Sequence, residues 1–232
     1  REAEAWMLSV LGARLGAAGR LAEAVERLEQ ALGIRRRIGD RSGQVATLLN
    51  LGVAYWQLGR LDLGVDRLRR ALQAARQSGD RYGEAMALNN VAEARLTLGR
   101  PDAAERDAGE ALALFRGDRN TFGEGMALDT LGQIHQARGR PGQALSCFEQ
   151  SWAARRLAGD RHGEAVALQH LGGARRAAGD LSGAQDAWWR ALEIYDALNS
   201  PGSAEVRAAL AGELARPAQR GRVASSDPAA AR

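Results

Sequence analysis

The chain of 232 residues is 45% hydrophobic and 26% charged, with a formal net charge of +4, a profile that fits one globular or repeat unit and excludes a disordered or collagen-like chain. Its 32 basic residues are all arginine, so with the abundant alanine, glycine and leucine the basic balance reads first as the codon bias of a GC-rich, actinobacterial genome. Affinity for nucleic acid or an acidic membrane is the weaker reading.

Cys147 stands alone, which excludes an internal disulfide and points to a reducing, cytoplasmic setting. No apolar run approaches the ~20 residues of a membrane helix. The chain opens on Arg1 inside a helical pattern, with no signal peptide and no initiating Met, so a piece of a longer protein is expected.

Shifted by 40 residues, the sequence overlays itself. The first forty residues carry Gly12, Gly19-Arg20 and Ala31-Leu32. The next unit repeats them as Gly52, Gly59-Arg60 and Ala71-Leu72, opening on Gly39-Asp40 and Gly43. Gly79-Asp80 and Gly83 open the third unit, Gly123 marks the fourth, and Gly159-Asp160 and Gly163 open the fifth. Inside a unit the apolar residues recur at helical steps, as in Leu48, Leu51, Ala54 and Leu58, then Leu61, Val65, Leu68 and Leu72. Glycine between the runs suits a helix C-terminus, Asp40, Asp80 and Asp160 suit N-caps, and Pro101 and Pro141 suit first turns. Paired helices are therefore predicted over 3–18/22–38, 43–58/62–78, 83–98/102–116, 123–138/142–158 and 163–178/182–198.

The third unit departs from the pattern. Arg95 stands where Tyr55 does, Ala108 replaces the large residue of the other units, and Gly117-Asp118 comes two residues early, which predicts looser packing or a bend. Residues 202–215 are expected to form a lone capping helix, with Ala208 and Ala211 at leucine positions and Gly212 one period after Gly172. The Pro/Ala/Ser/Arg-rich segment 216–232 is expected to be a disordered tail. The expected organisation is thus an array over 1–215 with hairpins at about 1–39, 40–79, 80–119, 120–159 and 160–199.

The succession Leu48, Leu51-Gly52, Tyr55, Gly64, Leu68 and Ala71 resembles the tetratricopeptide repeat (TPR). The 40-residue spacing is similar to the long-helix repeats of kinesin light chains, LGN-like adaptors and actinobacterial multidomain transcriptional regulators, the last through Gly79-Asp80…Gly83-Glu84 and Gly159-Asp160…Gly163-Glu164. The resemblance implies an all-α, right-handed superhelical solenoid that binds a protein or peptide in a concave groove lined by the first helices. Carried over by position, it implies groove residues Asn50, Val53, Trp56 and Gln57, then Met86, Asn89, Asn90 and Glu93, then Asp129, Thr130 and Gln133, and finally Gln169, His170 and Arg176. Asn50 and Asn90 either pair with a peptide backbone, as an asparagine ladder does, or bond neighbouring helices. The ladder breaks at Thr130 and His170.

No phosphate loop, nucleophile elbow, zinc motif or paired-cysteine motif occurs. The expectation is a non-enzyme without cofactor or metal, the sensor or interaction domain of a bacterial transcriptional regulator. Its partner would be a protein, a peptide or an upstream domain of the same chain, with neither membrane nor nucleic acid engaged. The alternatives are nucleic-acid contact through Arg35-Arg36-Arg37, Arg69-Arg70 and Arg155-Arg156, and self-association through the first hairpin at Trp6 and Met7.

Overall fold

The computed structural model describes residues 1–214, side chains to 212, and the expected tail 216–232 lies outside the described residues. The described residues form eleven α-helices. The five first helices of successive hairpins are α1 (Glu2–Ala17), α3 (Arg41–Gln57), α5 (Arg81–Thr97), α7 (Thr121–Ala137) and α9 (Arg161–Ala177). Their partners are α2 (Leu21–Ile38), α4 (Leu61–Ser78), α6 (Pro101–Gly117), α8 (Pro141–Leu157) and α10 (Leu181–Ala197), and α11 (Gly202–Leu214) closes the described array.

The ends of these helices follow from local chemistry. Asp40, Asp80, Asn120, Asp160 and Asp180 each accept, at 2.8–2.9 Å, the backbone N–H three residues on. Each cap satisfies a donor the helix leaves open, an effect of about 1 kcal/mol. Because helix begins directly after the cap, α3, α5, α7 and α9 start about two residues before the periodicity places them. Before each of the caps 40, 80 and 160 the backbone turns left-handed at Gly39, Gly79 and Gly159, with φ near +70°. At the joint between α6 and α7 the same position is held by Arg119, at φ +53°. Gly117 is the last residue of α6. The joint therefore keeps its register, and the early Gly117-Asp118 pair does not mark it.

Each first helix packs against its own second helix, and α3, α5, α7 and α9 also pack against the second helix of the preceding hairpin. First helices also touch the next first helix along the chain, α1 to α3, α3 to α5, α5 to α7 and α7 to α9. They form the inner layer of a curved solenoid, with the second helices outside. Close approach within a hairpin rests on a missing methyl group. Cβ atoms built at Gly12, Gly52, Gly132 and Gly172 would lie 2.4–2.6 Å from Leu28, Leu68, Phe148 and Trp188. In the third hairpin both members of the pair change. Ala92 carries the methyl and Ala108 leaves room for it, and both are fully buried. Arg95 is paired with Asp107 in the place where Tyr55 meets Arg67, whose guanidinium lies 5.8 Å from the ring centroid. The sequence irregularity there is a compensated exchange of volume and charge.

The closing helix differs from expectation in its rotation. Val206 and Leu210, one turn apart, are the buried residues and join the core around Trp188 and Tyr195, whereas Ala208, Ala211 and Gly212 are exposed. The two larger side chains bury more apolar area than alanine does, so they set the face the helix presents. No described helix is long and apolar enough to cross a membrane.

Candidate binding face on the first helices

The expected groove residues fall into two groups. Toward the start of the array, exposed Asn50 and Gln57 with half-buried Val53 border a recess of about 180 Å³ between α1 and α3, floored by Leu28 and Gly12. Trp56 and Met86 are half-buried on the same layer and offer apolar surface.

The second group is a polar network across α5, α7 and α9. Asn89 Nδ2 donates to Glu93 Oε1 at 3.0 Å, and Thr130 Oγ1 donates to the same oxygen at 3.2 Å. Gln133 Nε2 donates to Asp129 Oδ2 at 2.9 Å, and His170 Nδ1 bonds Asp129 Oδ1 at 2.8 Å. Asn89, Asn90, Asp129 and Thr130 are buried, Glu93, Gln133 and His170 partly exposed. Positions 89, 129 and 130 thus lie beneath the inner surface and do not stand open on it, because the contact between successive first helices covers them. The bond from Thr130 to Glu93 joins α7 to α5, and that from His170 to Asp129 joins α9 to α7. No bond of this kind involves Asn50.

Burial pushes the Glu93 carboxyl up from its ordinary range, the Asp129 charge adds to this, and the bonds from Thr130 and Asn89 oppose it. Burial works against a charged His170, yet the bond to Asp129 and its negative charge raise the imidazole above its ordinary value. Asn89 Oδ1 is a buried acceptor with no donor. Gln169 faces the closing helix. Its amide donates to Glu205 at 3.0 Å and accepts from Tyr195 at 3.0 Å, while its backbone carbonyl accepts from Trp188 at 3.2 Å. Arg176 is exposed near the end of α9.

Sequence reasoning missed Glu205 and Tyr195, since neither lies on a first helix of the five repeats. His135 is buried, and burial holds its pKa below the ordinary value. Trp188 is buried and Trp189 half exposed. Among the described residues no group of three or more His, Cys, Asp or Glu side chains is placed to hold a metal ion.

A curved double layer of helical hairpins, with an inner face of amides, carboxylates and small apolar residues, defines a helical-repeat scaffold. The chain belongs to the tetratricopeptide repeat family, whose models match residues 5–38, 44–117 and 124–197. No curated protein matches at a significant level. Among solved structures, the chain is similar to the Rap conjugation gene regulator of the plasmid pLS20 in complex with the Phr* peptide, at a TM-score of 0.77 and 16% identity over 89% of this chain and 56% of that one. A Rap protein complexed with Competence and Sporulation Factor gives a TM-score of 0.68 and 17% identity, over 92% and 64% of the two chains. BtubC (BKLC) from P. vanneervenii gives 0.60 and 23%, over 86% and 91%. This chain therefore spans a little over half of the first and under two thirds of the second.

Proposed function

We propose that this chain is a protein- or peptide-binding scaffold whose inner face, along α3, α5, α7 and α9, receives an extended segment. In this reading it is the sensor or interaction part of a bacterial transcriptional regulator acting in the cytoplasm. The observation that carries the reading is the run of polar side chains on successive first helices, from Asn50 and Gln57 through Glu93 and Gln133 to His170. Side-chain amides offer both a donor and an acceptor, so they suit the N–H and C=O groups of an extended backbone. Two of the similar structures are complexes with the Phr* peptide and with Competence and Sporulation Factor, which supports a binding role for this chain. Occupancy, by a partner or by another domain of the same protein, would alter the effector attached to the array.

Selection from a display library of random dodecapeptides tests this. Asn50→Ala and Gln57→Ala, both at exposed positions, are expected to weaken the selected peptides without changing the melting temperature. A selection that returns no peptide sensitive to either substitution overturns the groove reading.

One observation favours a second reading, self-association through α1. Met7 and Leu11 are 57% and 46% exposed, whereas their counterparts one period on, Thr47 and Leu51, are buried under α2. Sedimentation of the protein beside Leu11→Glu would show a dimer that the charge dissolves, and a concentration-independent monomer removes the reading. The arginine stripes lend little to nucleic-acid contact, because Arg35 is paired with Asp40, Arg70 with Asp66 and Arg155 with Asp160.

A further inference from the structure

We propose that Arg156 and Arg190, which share the ring of Trp152 on the outer layer, form a site for a carboxylate side chain of an acidic partner segment, separate from the inner face. The repeat itself carries the argument. Arg76, Arg116 and Arg156 stand one period apart, near the ends of α4, α6 and α8. Arg76 donates from Nε to Glu84 and from a terminal nitrogen to Glu110, both at 2.7 Å. Arg116 donates in the same way to Glu124 at 2.7 Å and to Gln150 at 3.3 Å. One period further on, the places of these acceptors are held by Glu164 and Arg190. Glu164 is 4% exposed, and its two oxygens accept from Trp152 Nε1 at 3.3 Å and from Arg161 at 2.7 Å. Arg190 puts a cation where the earlier repeats have an acceptor. Among the described residues the Arg156 guanidinium therefore has no hydrogen-bond or ion-pair partner, and it lies 5.0 Å from the Trp152 ring centroid, with Arg190 at 4.5 Å.

The two preceding repeats show what such a guanidinium takes, a carboxylate of the chain itself. Here the chain supplies none within bonding reach, since Asp186 stands 3.8 Å from Arg190. Two cations on one ring repel each other, and the ring face offsets only part of that repulsion. A carboxylate spanning the two planar forks would supply the missing charge through paired N–H···O bonds. The approach is open from outside, because Arg156 is exposed and Arg190 half-buried. Leu157 and Trp189, each next in sequence to one of the arginines, are 77% and 52% exposed and offer apolar surface to the neighbours of the acid. At the first joint the same register lacks the arrangement. Leu32 takes the place of Trp152, and Arg70, equivalent to Arg190, is bonded by Asp66 at 3.2 Å.

The same dodecapeptide library, selected against the full chain carrying Asn50→Ala and Gln57→Ala, tests the outer site with the inner face weakened. Selected sequences should be enriched in aspartate or glutamate at one position, and replacing that residue by its amide should weaken binding about tenfold, the loss of one charge-assisted contact. Arg156→Gln and Arg190→Gln should each abolish the enrichment, whereas Arg36→Gln, one arginine of the same register without the ring, should leave it intact. Thermal melts check that the three variants keep the stability of the parent. The indole N–H resonance of Trp152, assigned by its loss in Trp152→Phe, should shift on binding of the acidic peptide and stay in place with the amide counterpart. Peptides with no acidic preference, or a preference that survives Arg156→Gln and Arg190→Gln, overturn the site and leave the inner-face reading untouched. A resonance that moves with inorganic phosphate but with no acidic peptide overturns the assignment to a carboxylate.

Discussion

A methyl group added to Gly132 would sit 2.4 Å from Phe148, and one added to Gly172 would sit 2.4 Å from Trp188, while Ala92 already carries that methyl and faces Ala108. The pairs predict a coupling that can be measured. Gly132→Ala should destabilise by about 1–3 kcal/mol through overpacking, and Phe148→Ala by about 3–5 kcal/mol through the cavity it leaves. The double substitution copies the third hairpin and should cost at least about 1 kcal/mol less than the sum, as read from urea denaturation of the four proteins. A strictly additive result would deny the exchange of volume. The titrating residues make a second prediction. A histidine raised in the fold contributes stability below its ordinary value near 6.5 and loses it as pH climbs through the raised value. A glutamate raised in the fold favours its neutral form, so stability also falls as pH climbs from its ordinary value near 4.3 through the raised one. Both trends share a sign. Relative to Glu93→Gln, the denaturation midpoint of the protein should therefore fall as pH climbs above the ordinary glutamate value, and relative to His170→Gln it should fall as pH climbs above the ordinary histidine value, while His135, lowered in the fold, works in the opposite direction in all three proteins.

At the scale of the element, backbone conformation and sequence disagree at two joints, at Arg119 before α7 and at Asn199 before α11, and asparagine tolerates the left-handed turn better than arginine does. Arg119 occupies a left-handed turn that glycine holds at Gly39, Gly79 and Gly159. Arg119→Gly should stabilise by about 0.5–1 kcal/mol, whereas Gly159→Ala should destabilise by about 1–2 kcal/mol, both visible in thermal melts. The helices themselves were legible because three signals coincide at the joints before α3, α5 and α9: a break in apolar period, a glycine able to turn left-handed, and an acid able to cap. Asn120 was missed because Gly117-Asp118 imitates the usual pair two residues early. The rotation of α11 was missed because the forty-residue register was followed into a segment that no longer obeys it. The spacing of Val206 and Leu210 alone names the buried face. The inner face was legible as a layer but not in depth. Sequence spacing puts Asn89, Asp129 and Thr130 beside Asn90 and Glu93, yet curvature draws the first helices together and covers them. Their cross-helix bonds depend on that curvature, which no single repeat encodes.

Across the whole molecule, each hairpin touches only its neighbours, so stability is a sum of local and nearest-neighbour contributions. Leu210→Ala should cost about 2–5 kcal/mol, and hydrogen exchange should quicken first in α9 and α10 while α3 and α4 keep their protection. Uniform loss of protection along the chain would mean that the array folds as one block. The contact between successive first helices has a mechanical consequence. The inner layer acts as the fulcrum of the coil, since a small change of angle there is repeated at every hairpin and sums to a large movement at the two ends. A segment held at once by α5, α7 and α9 would lock three of these angles together. The molecule then behaves as a spring clamped at its middle, and its occupancy can be read as end-to-end length far from the place where the segment lies.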